Sequence, residues 1–306
     1  MKIVITGIAG FIGYHAAWNL QEAGHQVAGI DDFNSYYDVH LKNWRAKLLK
    51  ERQIRVDHGS LSTLHMSDIV KDADVILHLA GYAGVRYSLE NPQTYIDNNV
   101  TGTQQVINIA EKYQIPVVYA SSSSVYGGNN FTEDTLVPHL SNPYAWSKYA
   151  NECQFKHSKI PASIGFRFFT VYGPLGRPDM ALYSFADSIV NNQPITIYNN
   201  GDMSRDFTYV QDIINGVQLL IDKVTKSEGH DIYNIGGGKS TPLMRFVELI
   251  EENLGIEAIK EFAPMHPADV QHTLADITKI KRLGYEPKTT VEAGITKFIS
   301  WYKSYF

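Results

Sequence analysis

The feature that most constrains the fold is the start of the chain, where an apolar run leads through three glycines into a helical pattern. KIVIT (2–6) has the composition of a buried strand, and GYHAAWNLQEAG (13–24) has helical periodicity. Three more apolar runs, each of strand length, follow as QVAGID (26–31), DVILHLA (74–80) and PVVYAS (116–121). Strands that alternate with helices are typical of a parallel sheet covered on both faces. The first half therefore predicts an α/β fold with a doubly wound parallel sheet.

The regular alternation of strand and helix patterns ends near Gly173, and the second half of the chain has a different pattern. Prolines and glycines become denser there, and the strand and helix patterns are mixed. We predict one domain over residues 1–172 and a smaller, mixed α/β, substrate-binding domain that mainly covers 173–306. Two later segments, RDFTYV (205–210) and DIYNIGG (231–237), are predicted to return to the main sheet.

The composition narrows the possible partners and location. The 306 residues are 44% apolar and carry a net charge of −5. Because the charges form no long runs, neither nucleic acid nor a membrane surface is expected as a partner. Cys153 is the single cysteine, so no intrachain disulfide can form, which indicates a reducing compartment. The start of the chain does not resemble a signal peptide, and no apolar run is long enough to span a bilayer. We expect a cytoplasmic protein, and we predict no metal site.

The glycines form a candidate phosphate cradle. Gly7, Gly10 and Gly13 stand between the first strand and the first helix. Glycines at these places allow a tight turn and let the backbone approach a pyrophosphate at the helix N-terminus. Asp31, at the end of the next strand, can accept both hydroxyls of an adenosine ribose and would repel a 2′-phosphate, and Asp32 adds to that repulsion. The pattern predicts a Rossmann-type domain that binds NAD rather than NADP. The alternative for Asp31 is a solvated strand end.

A tyrosine and a lysine four residues apart lie in NPYAWSKYANE (142–152). Pro143 can open a helix, which places Tyr144 and Lys148 on one helical face. Such a pair can also be merely exposed. Together with the glycine cradle and SSSSVYG (121–127), however, the pair resembles the extended short-chain dehydrogenase/reductase family. The resemblance implies that Ser122, Tyr144 and Lys148 form the catalytic set.

Tyrosine is a poor base at neutral pH, because its ordinary pKa is about 10. Lowering that pKa to about 7 requires roughly 3 units, and one nearby cation supplies about 1–3. Lys148 alone would therefore barely lower the pKa of Tyr144 far enough, whereas Lys148 together with the positive nicotinamide of NAD⁺ would do so. The base is then strongest when the cofactor is ready to accept hydride.

Further segments resemble the nucleotide-sugar branch of this family and are most similar to the UDP-glucuronate 4-epimerases. These segments are DDFNSYYDVHLK (31–42), GVRYSLENP (84–92), YIDNNVTGT (95–103), FRFFTVYGPLGRPDMA (166–181) and MSRDFTYVQDI (203–213). The resemblance implies 4-epimerisation of UDP-glucuronate to UDP-galacturonate through a 4-keto intermediate, with Tyr144 as base and hydride passed to and from NAD. It implies further cofactor-binding residues, namely Phe11, Ile12, Leu79, Ala80 and Asn99. It also implies a homodimer that pairs through the helical stretches near 94–113 and 143–158.

The run of four serines, residues 121–124, distinguishes this sequence from other enzyme branches of the family. Sugar 4,6-dehydratases typically carry an Asp and a Glu at the two positions that Ser123 and Ser124 occupy here, and UDP-glucuronate decarboxylases typically carry a Glu at the second. Oxidation at C4 of glucuronate makes a β-keto acid, which loses carbon dioxide when its carboxylate bond aligns with the carbonyl. Neutral donors can hold the carboxylate out of that alignment, so Ser123 and Ser124 are predicted to do this, aided by Thr170 and Arg177. The alternative is that both serines only satisfy the backbone at the strand end.

Three substrate assignments rest on the resemblance. Arg205 would bind the diphosphate, for which a planar bidentate donor is suited, or it would pair with Asp206 or Asp212 at the surface. Asp269, in HPADV (266–270), would bind the UDP ribose or lie in its flanking loop. Arg86 would contact substrate or form a structural ion pair.

Other activities remain open at this stage. The same residues could epimerise a neutral UDP-hexose, such as UDP-glucose or UDP-N-acetylglucosamine. A UDP-glucuronate decarboxylase and a non-catalytic NAD-sensing protein are less favoured, because the two serines replace acids and both Tyr144 and Lys148 are intact.

Overall fold

The fold was established from a computed structural model. It describes residues 1–66, 68–128, 131–135, 140–266 and 269–305. No helix among these residues is both long enough and apolar enough to cross a membrane.

Thirteen strands and eleven α-helices lie in the described ranges. In chain order, the strands are β1 (Lys2–Thr6), β2 (Gln26–Asp31), β3 (Arg55–His58), β4 (Val75–His78), β5 (Val117–Ser122), β6 (Ala162–Phe168), β7 (Thr170–Tyr172), β8 (Ile195–Tyr198), β9 (Ser204–Arg205), β10 (Phe207–Tyr209), β11 (Gly229–Ile235), β12 (Thr241–Pro242) and β13 (Lys260–Ala263). The helices are α1 (Phe11–Glu22), α2 (Val39–Glu51), α3 (Val85–Glu90), α4 (Pro92–Tyr95), α5 (Gly102–Tyr113), α6 (Pro143–Lys156), α7 (Ala181–Val190), α8 (Val210–Val224), α9 (Leu243–Leu254), α10 (Thr278–Lys281) and α11 (Val291–Tyr305). A π-helical segment (Ile96–Thr101) joins α4 to α5.

The main sheet has seven strands in the order β11-β6-β5-β4-β1-β2-β3. Every pairing within it is parallel. The predicted doubly wound parallel sheet is confirmed. Because the strand order reverses between β1 and β4, the loops that follow these two strands diverge and leave a crevice at their carboxyl ends.

The two faces of the sheet support two separate apolar cores. On β1, Ile3 and Ile5 point to the core shared with α1, α2 and α8, while Val4 points to the core shared with α5 and α6. All three side chains are fully buried. The strand is therefore apolar at successive positions, as expected for a sheet that is covered on both sides.

The two segments predicted to return to the main sheet behave differently. Residues 231–235 do so as part of β11, which pairs with β6. Residues 205–210 do not, so that part of the prediction is wrong. Within this stretch, β10 pairs with β7 in a separate two-stranded sheet, and β9 pairs with β12 in another. These strands have only two or three residues, which is too little for a sequence pattern to specify a partner. The division near residue 172 stays a prediction.

Candidate active site

A cleft of about 1180 Å³ opens at the carboxyl ends of β1, β4 and β5. This volume exceeds that of a typical pocket for one small ligand, about 300–1,000 Å³, and is compatible with two ligands side by side. The cleft wall includes all the sequence-predicted site residues except Asn99.

The glycine loop at one end of the cleft has no room for side chains. Gly7 has φ +75°, and a Cβ there would lie 2.8 Å from the backbone nitrogen of Ala80. A Cβ on Gly13 would lie 2.1 Å from the carbonyl oxygen of Gly7. Gly10 caps α1, whose first residues, Phe11 and Ile12, line the cleft. The geometry fits a pyrophosphate held against the start of a helix.

Asp31 ends β2 beside this loop and is buried. Its Oδ2 accepts a hydrogen bond from the backbone N–H of Ala9 at 3.0 Å, and its Oδ1 accepts one from Phe33 at 2.9 Å. Burial raises the pKa of Asp31, although these bonds and the charge of Lys42 partly oppose the rise. Spare lone pairs on both oxygens leave the carboxylate able to accept ribose hydroxyls.

Lys42 is a residue that the sequence interpretation missed, since no Lys or Arg follows Asp31 and Asp32 closely along the chain. The fold brings it to the cleft from α2, where its Nζ donates to the carbonyl and the side-chain oxygen of Asn34 at 2.6 and 2.9 Å. The only sequence feature that could have indicated Lys42 as a site residue is its place in DDFNSYYDVHLK (31–42), a segment that resembles the nucleotide-sugar branch.

Tyr144 and Lys148 lie on the cleft-facing side of α6. The helix begins where predicted, with Pro143 in its first turn and the Asn142 side chain accepting from the Ala145 N–H at 2.8 Å. Burial lowers the pKa of Lys148 to about 8, and its Nζ donates to the carbonyl oxygen of Ala120 at 3.1 Å.

Burial raises the pKa of Tyr144, while a hydrogen bond with Ser122 and the charge of Arg177 act in the opposite direction. Arg177 is thus a cation near Tyr144 that lowers this pKa. Because the net shift is still upward, Tyr144 needs a further positive charge in the cleft to act as a base near neutral pH.

The hydroxyls of the four serines have different surroundings, since Ser121 and Ser122 end β5 and Ser123 and Ser124 begin a 3-10 turn. The Ser121 hydroxyl donates to Oε1 of Glu152 at 2.6 Å. The oxygen of Ser122 accepts from the Ser124 N–H at 3.1 Å, and its hydroxyl donates to the Ser124 hydroxyl, also at 3.1 Å. Ser123 and Ser124 are half-buried and line the same cleft as Tyr144. The Glu152 carboxylate is buried and paired with Arg167, and Ser122, Ser123 and Ser124 line the cleft.

Asn99 lies behind the cleft wall rather than in it. It is 1% exposed and belongs to the π-helical segment. Its side chain bonds the backbone N–H and carbonyl of Tyr82 at 2.7 and 2.9 Å and donates to Ser147 of α6 at 2.9 Å. Among the described contacts, Asn99 therefore supports the loop after β4, and Leu79 and Ala80 of that loop line the cleft.

Arg177 is held by two residues that the sequence interpretation did not assign, Asp179 and Tyr36. Its Nε donates to Oδ1 of Asp179 at 3.0 Å and its Nη2 donates to Oδ2. The hydroxyl of Tyr36 donates to Oδ2 of the same carboxylate at 3.1 Å. Burial alone would raise the pKa of Asp179, but Arg177 and the hydrogen bonds outweigh it, so the pKa lies below its ordinary value. Thr170 also lines the cleft.

At the other end of the cleft, Arg86 and Asp269 contact each other. Nη2 of Arg86 lies 2.8 Å from Oδ2 of Asp269, and its guanidinium lies 4.1 Å from the ring centre of Tyr198. Of the two alternatives for Arg86, the structure contains the ion pair, and both partners line the cleft. Residues 267 and 268 of the HPADV segment lie outside the described residues.

The guanidinium of Arg205 is oriented by hydrogen bonds to backbone carbonyls, and not by ion pairs with the carboxylates near it in the sequence. Its Nη1 donates to the carbonyl oxygens of Ser204 and Gln271 at 2.9 and 3.0 Å. Asp206 is fully buried and accepts from the backbone of Gly237 at 2.7 Å. Asp212 accepts from Lys288 and Thr289, also through their backbone. Burial lowers the pKa of Arg205, and the charge of Asp269 opposes that shift. The surface ion pair considered for Arg205 is not formed with either acid.

The parallel sheet, the sterically closed glycine loop and the carboxylate at the end of β2 define a dinucleotide-binding enzyme of the Rossmann type. The chain belongs to the NAD dependent epimerase/dehydratase family, whose model matches residues 3–236. This confirms the resemblance found in the sequence, and it confirms the predictions of an enzyme and of NAD as its cofactor.

Several relatives match the chain over its whole length. Protein CapI of Staphylococcus aureus is 41% identical, with 100% of this chain and 99% of that protein covered. UDP-glucuronate 4-epimerase 1 of Arabidopsis thaliana is 39% identical, with 100% of this chain and 77% of that protein covered. A crystal structure of UDP-glucuronic acid 4-epimerase from Bacillus cereus, in complex with UDP-glucuronic acid and NAD, superposes with a TM-score of 0.93 at 32% identity and covers 100% of both chains.

Proposed function

We propose that this protein epimerises UDP-glucuronate at C4 of the sugar and forms UDP-galacturonate. The observation that carries the proposal is the lining of the cleft, which includes Ser123, Ser124, Thr170 and Arg177 as well as Tyr144. Hydroxyl donors and a guanidinium suit a sugar carboxylate, which needs neutral or positive partners. The relatives named as UDP-glucuronate 4-epimerases support the same substrate.

Each residue of the site has a proposed task. Bound NAD would supply the hydride acceptor and donor. Tyr144 takes the proton from the C4 hydroxyl, and Ser122, hydrogen-bonded to it, lowers its pKa and orients the hydroxyl. Lys148, buried beside Gly81, donates hydrogen bonds at the cofactor side. Because the reaction has no net redox change, the same cofactor serves every turnover.

The carboxylate is proposed to be held out of alignment with the C4 carbonyl by Ser123 and Ser124, which prevents loss of carbon dioxide. Arg177 provides the positive charge, and its pairing with Asp179 leaves that charge partly neutralised. A partly neutralised cation binds the carboxylate of the sugar less tightly than a free cation would. The sugar can then rotate in the cleft between the two hydride transfers.

The diphosphate and uridine are proposed to lie between Arg205, Arg86, Asp269 and Tyr198 at the far end of the cleft. A neutral UDP-hexose would use the same nucleotide contacts. It remains the second candidate, because a related structure, MoeE5, contains UDP-glucose and NAD at 30% identity and a TM-score of 0.88.

The test is incubation of the NAD-loaded protein with UDP-glucuronate, with the products resolved as epimer, pentose or keto-sugar. We expect UDP-galacturonate as the main product, and the reverse reaction from UDP-galacturonate. UDP-glucose and UDP-N-acetylglucosamine are the comparison substrates. Faster turnover of either neutral sugar would replace the proposed substrate, and a pentose product would replace the proposed reaction.

A homodimer in the cytoplasm is part of the proposal. Leu89, Ile96, Trp146 and Tyr149 are apolar and 37–47% exposed. The elements that carry them, α3, the π-helical segment and α6, lie next to one another on one side of the sheet. An apolar surface shared by neighbouring helices is suited to pairing with a second copy. The single exposed thiol, Cys153, is compatible with a reducing compartment.

A further inference from the structure

The turn that leads into Arg177 is held in an uncommon backbone conformation. Leu175 has φ +56°, although it is not a glycine, and Gly173 has φ +151°. Such a conformation persists where surrounding contacts determine it. Here three successive carbonyl oxygens, those of Pro174, Leu175 and Gly176, accept hydrogen bonds from side chains of the cofactor-binding half.

Arg45 of α2 supplies most of these bonds. Its Nε and Nη2 donate to the Leu175 carbonyl at 3.1 and 2.6 Å, and Nη2 also donates to Gly176 at 3.2 Å. Its Nη1 donates to the carbonyl of Ala9, inside the glycine loop, at 3.1 Å, and to the Tyr37 hydroxyl at 2.7 Å. One planar guanidinium thus joins the cofactor loop to the turn before Arg177.

The environment of Arg45 is unusual for a charged side chain. Arg45 is 0% exposed, and its bonds go to neutral oxygens. Within the described part of the chain, no carboxylate lies within ion-pair distance of it. Burial of a charge without a counter-ion is costly, so a site that needed only packing would be served better by an apolar residue.

His15 of α1 holds the third carbonyl. Its Nε2 lies 2.9 Å from the Pro174 oxygen, so the ring donates there. The ring also contacts Phe11 and Tyr14 at their edges. Among the described hydrogen bonds, His15 has none to the glycine loop, whereas Arg45 has one. A substitution of His15 therefore tests the hydrogen bonding of the turn without removing a hydrogen bond to the glycine loop.

We propose that Arg45, assisted by His15, is a positioning residue that sets the place of Arg177 relative to the cofactor. This inference rests on the proposed function, in which Arg177 faces the substrate carboxylate. Among the residues that the structure describes, the contacts of Arg45 include neither the reacting residues Tyr144 and Ser122 nor the end of the cleft that is proposed to bind UDP. Its removal should therefore weaken binding of the uronate part of the substrate and leave binding of UDP unchanged. A merely structural role would lower thermal stability and affect both ligands alike.

The experiment measures the dissociation constants of UDP and of UDP-glucuronate by calorimetry, with NAD⁺ saturating and bound NAD quantified. Arg45→Lys keeps the charge but loses the planar fork. We expect its affinity for UDP-glucuronate to fall about tenfold relative to UDP, the effect of losing one or two hydrogen bonds that direct a charge. His15→Phe keeps the ring contacts and should lower the same ratio about threefold, a smaller loss because one bond is removed.

Two further variants make the result decisive. Arg52→Lys is the matched control, because Arg52 follows the same helix, pairs with Glu22 and stacks on Trp18 away from the turn. We expect it to leave the ratio unchanged. In an Arg177→Lys background, Arg45→Lys should cause no further loss, because the two residues then act through one group.

The outcomes separate the inference from the proposed function. If Arg177→Lys leaves the ratio unchanged, Arg177 does not hold the carboxylate and that part of the proposed function fails. If Arg177→Lys lowers the ratio but Arg45→Lys and His15→Phe do not, the positioning role is overturned. Should Arg45→Lys fail to fold, His15→Phe alone decides.

Discussion

At the scale of single residues, the surroundings of Tyr144, the proposed base, shift its pKa in opposite directions. Burial raises its pKa, and the Ser122 hydrogen bond and the Arg177 charge only partly reverse this. The tyrosine is thus held mainly protonated until a positive charge enters the cleft. If Tyr144 is the base, as proposed, its activity would depend on the presence of the oxidised cofactor.

Tyr144→Phe is expected to reduce kcat by about 10²–10⁴-fold, because the proton acceptor is lost while the ring stays. Binding of NAD⁺ and UDP should change little. Tyr126→Phe is the matched control, since Tyr126 is buried, donates to Asn234 at 2.7 Å and lies away from the cleft. Steady-state kinetics with calorimetry distinguish the two, and substantial turnover by Tyr144→Phe would exclude it as the base.

The serines provide a second prediction at this scale. Ser124→Ala, and more so Ser123→Ala with Ser124→Ala, should release carbon dioxide or a 4-keto-pentose from UDP-glucuronate, while the wild type releases almost none. A shift of about 1.4 kcal/mol between the two barriers changes the product ratio tenfold, and one hydrogen bond to a charge contributes about 1.5–3 kcal/mol. The measurement is carbon dioxide per epimerisation event.

Ser121→Ala is the control for these variants, because the Ser121 hydroxyl is engaged by the buried carboxylate of Glu152. It should lower stability without changing the product ratio. If the cleft-facing variants stay folded and active with an unchanged ratio, Ser123 and Ser124 only complete the strand end.

At the scale of elements, a buried histidine joins β1, β4 and α5. His78 bonds the Thr6 hydroxyl through Nδ1 at 2.7 Å and the Thr103 hydroxyl through Nε2 at 3.0 Å. Burial lowers its pKa from 6.5 to about 3, and the charge of Lys148 acts in the same direction. The ring is therefore neutral in the folded protein across the ordinary pH range.

This predicts a pH dependence of stability with a definite sign. Between pH 6.5 and about 3 the unfolded chain binds a proton at His78 that the folded chain does not, so the free energy of unfolding falls as the pH falls. The slope contributed by one such group approaches about 1.4 kcal/mol per pH unit. His78→Gln should flatten the dependence between pH 6 and 4.5 in urea titrations, whereas the exposed His40→Gln should not. Equal slopes in all three proteins would contradict the assignment.

At the scale of the whole molecule, the apolar surface formed by Leu89, Ile96, Trp146 and Tyr149 predicts the assembly. We expect a dimer by light scattering at micromolar concentration, and a monomer for Trp146→Glu, because a buried unpaired carboxylate opposes association. Phe262→Glu is the matched control, since Phe262 is 57% exposed on β13, outside this surface. A monomeric wild type, or a dimer that survives Trp146→Glu, would remove this surface as the interface.

The features that the sequence determined are those encoded by neighbours along the chain. The strands β1, β2, β4 and β5 could be placed because continuous apolar runs identify buried strands. The glycine loop followed from spacing, and the structure explains it by a Cβ that would lie 2.1 Å from a carbonyl oxygen. Tyr144 and Lys148 share a face because they are one helical turn apart.

Other features were decided only by the tertiary structure, because they join residues far apart in the chain. Arg45 bonds a carbonyl 130 positions away, and Arg86 meets Asp269 at a separation of 183. Such pairs leave no periodic signal, and their side chains are equally common on protein surfaces. For the same reason, two- and three-residue strands such as β9 and β10 could not be assigned partners, and Asn99 could not be separated from the cofactor wall. The spacing of neighbouring residues thus specified the parallel sheet of the first half and the shared helical face of Tyr144 and Lys148. The packing of distant segments decided the partners of charged side chains such as Arg45 and Arg86.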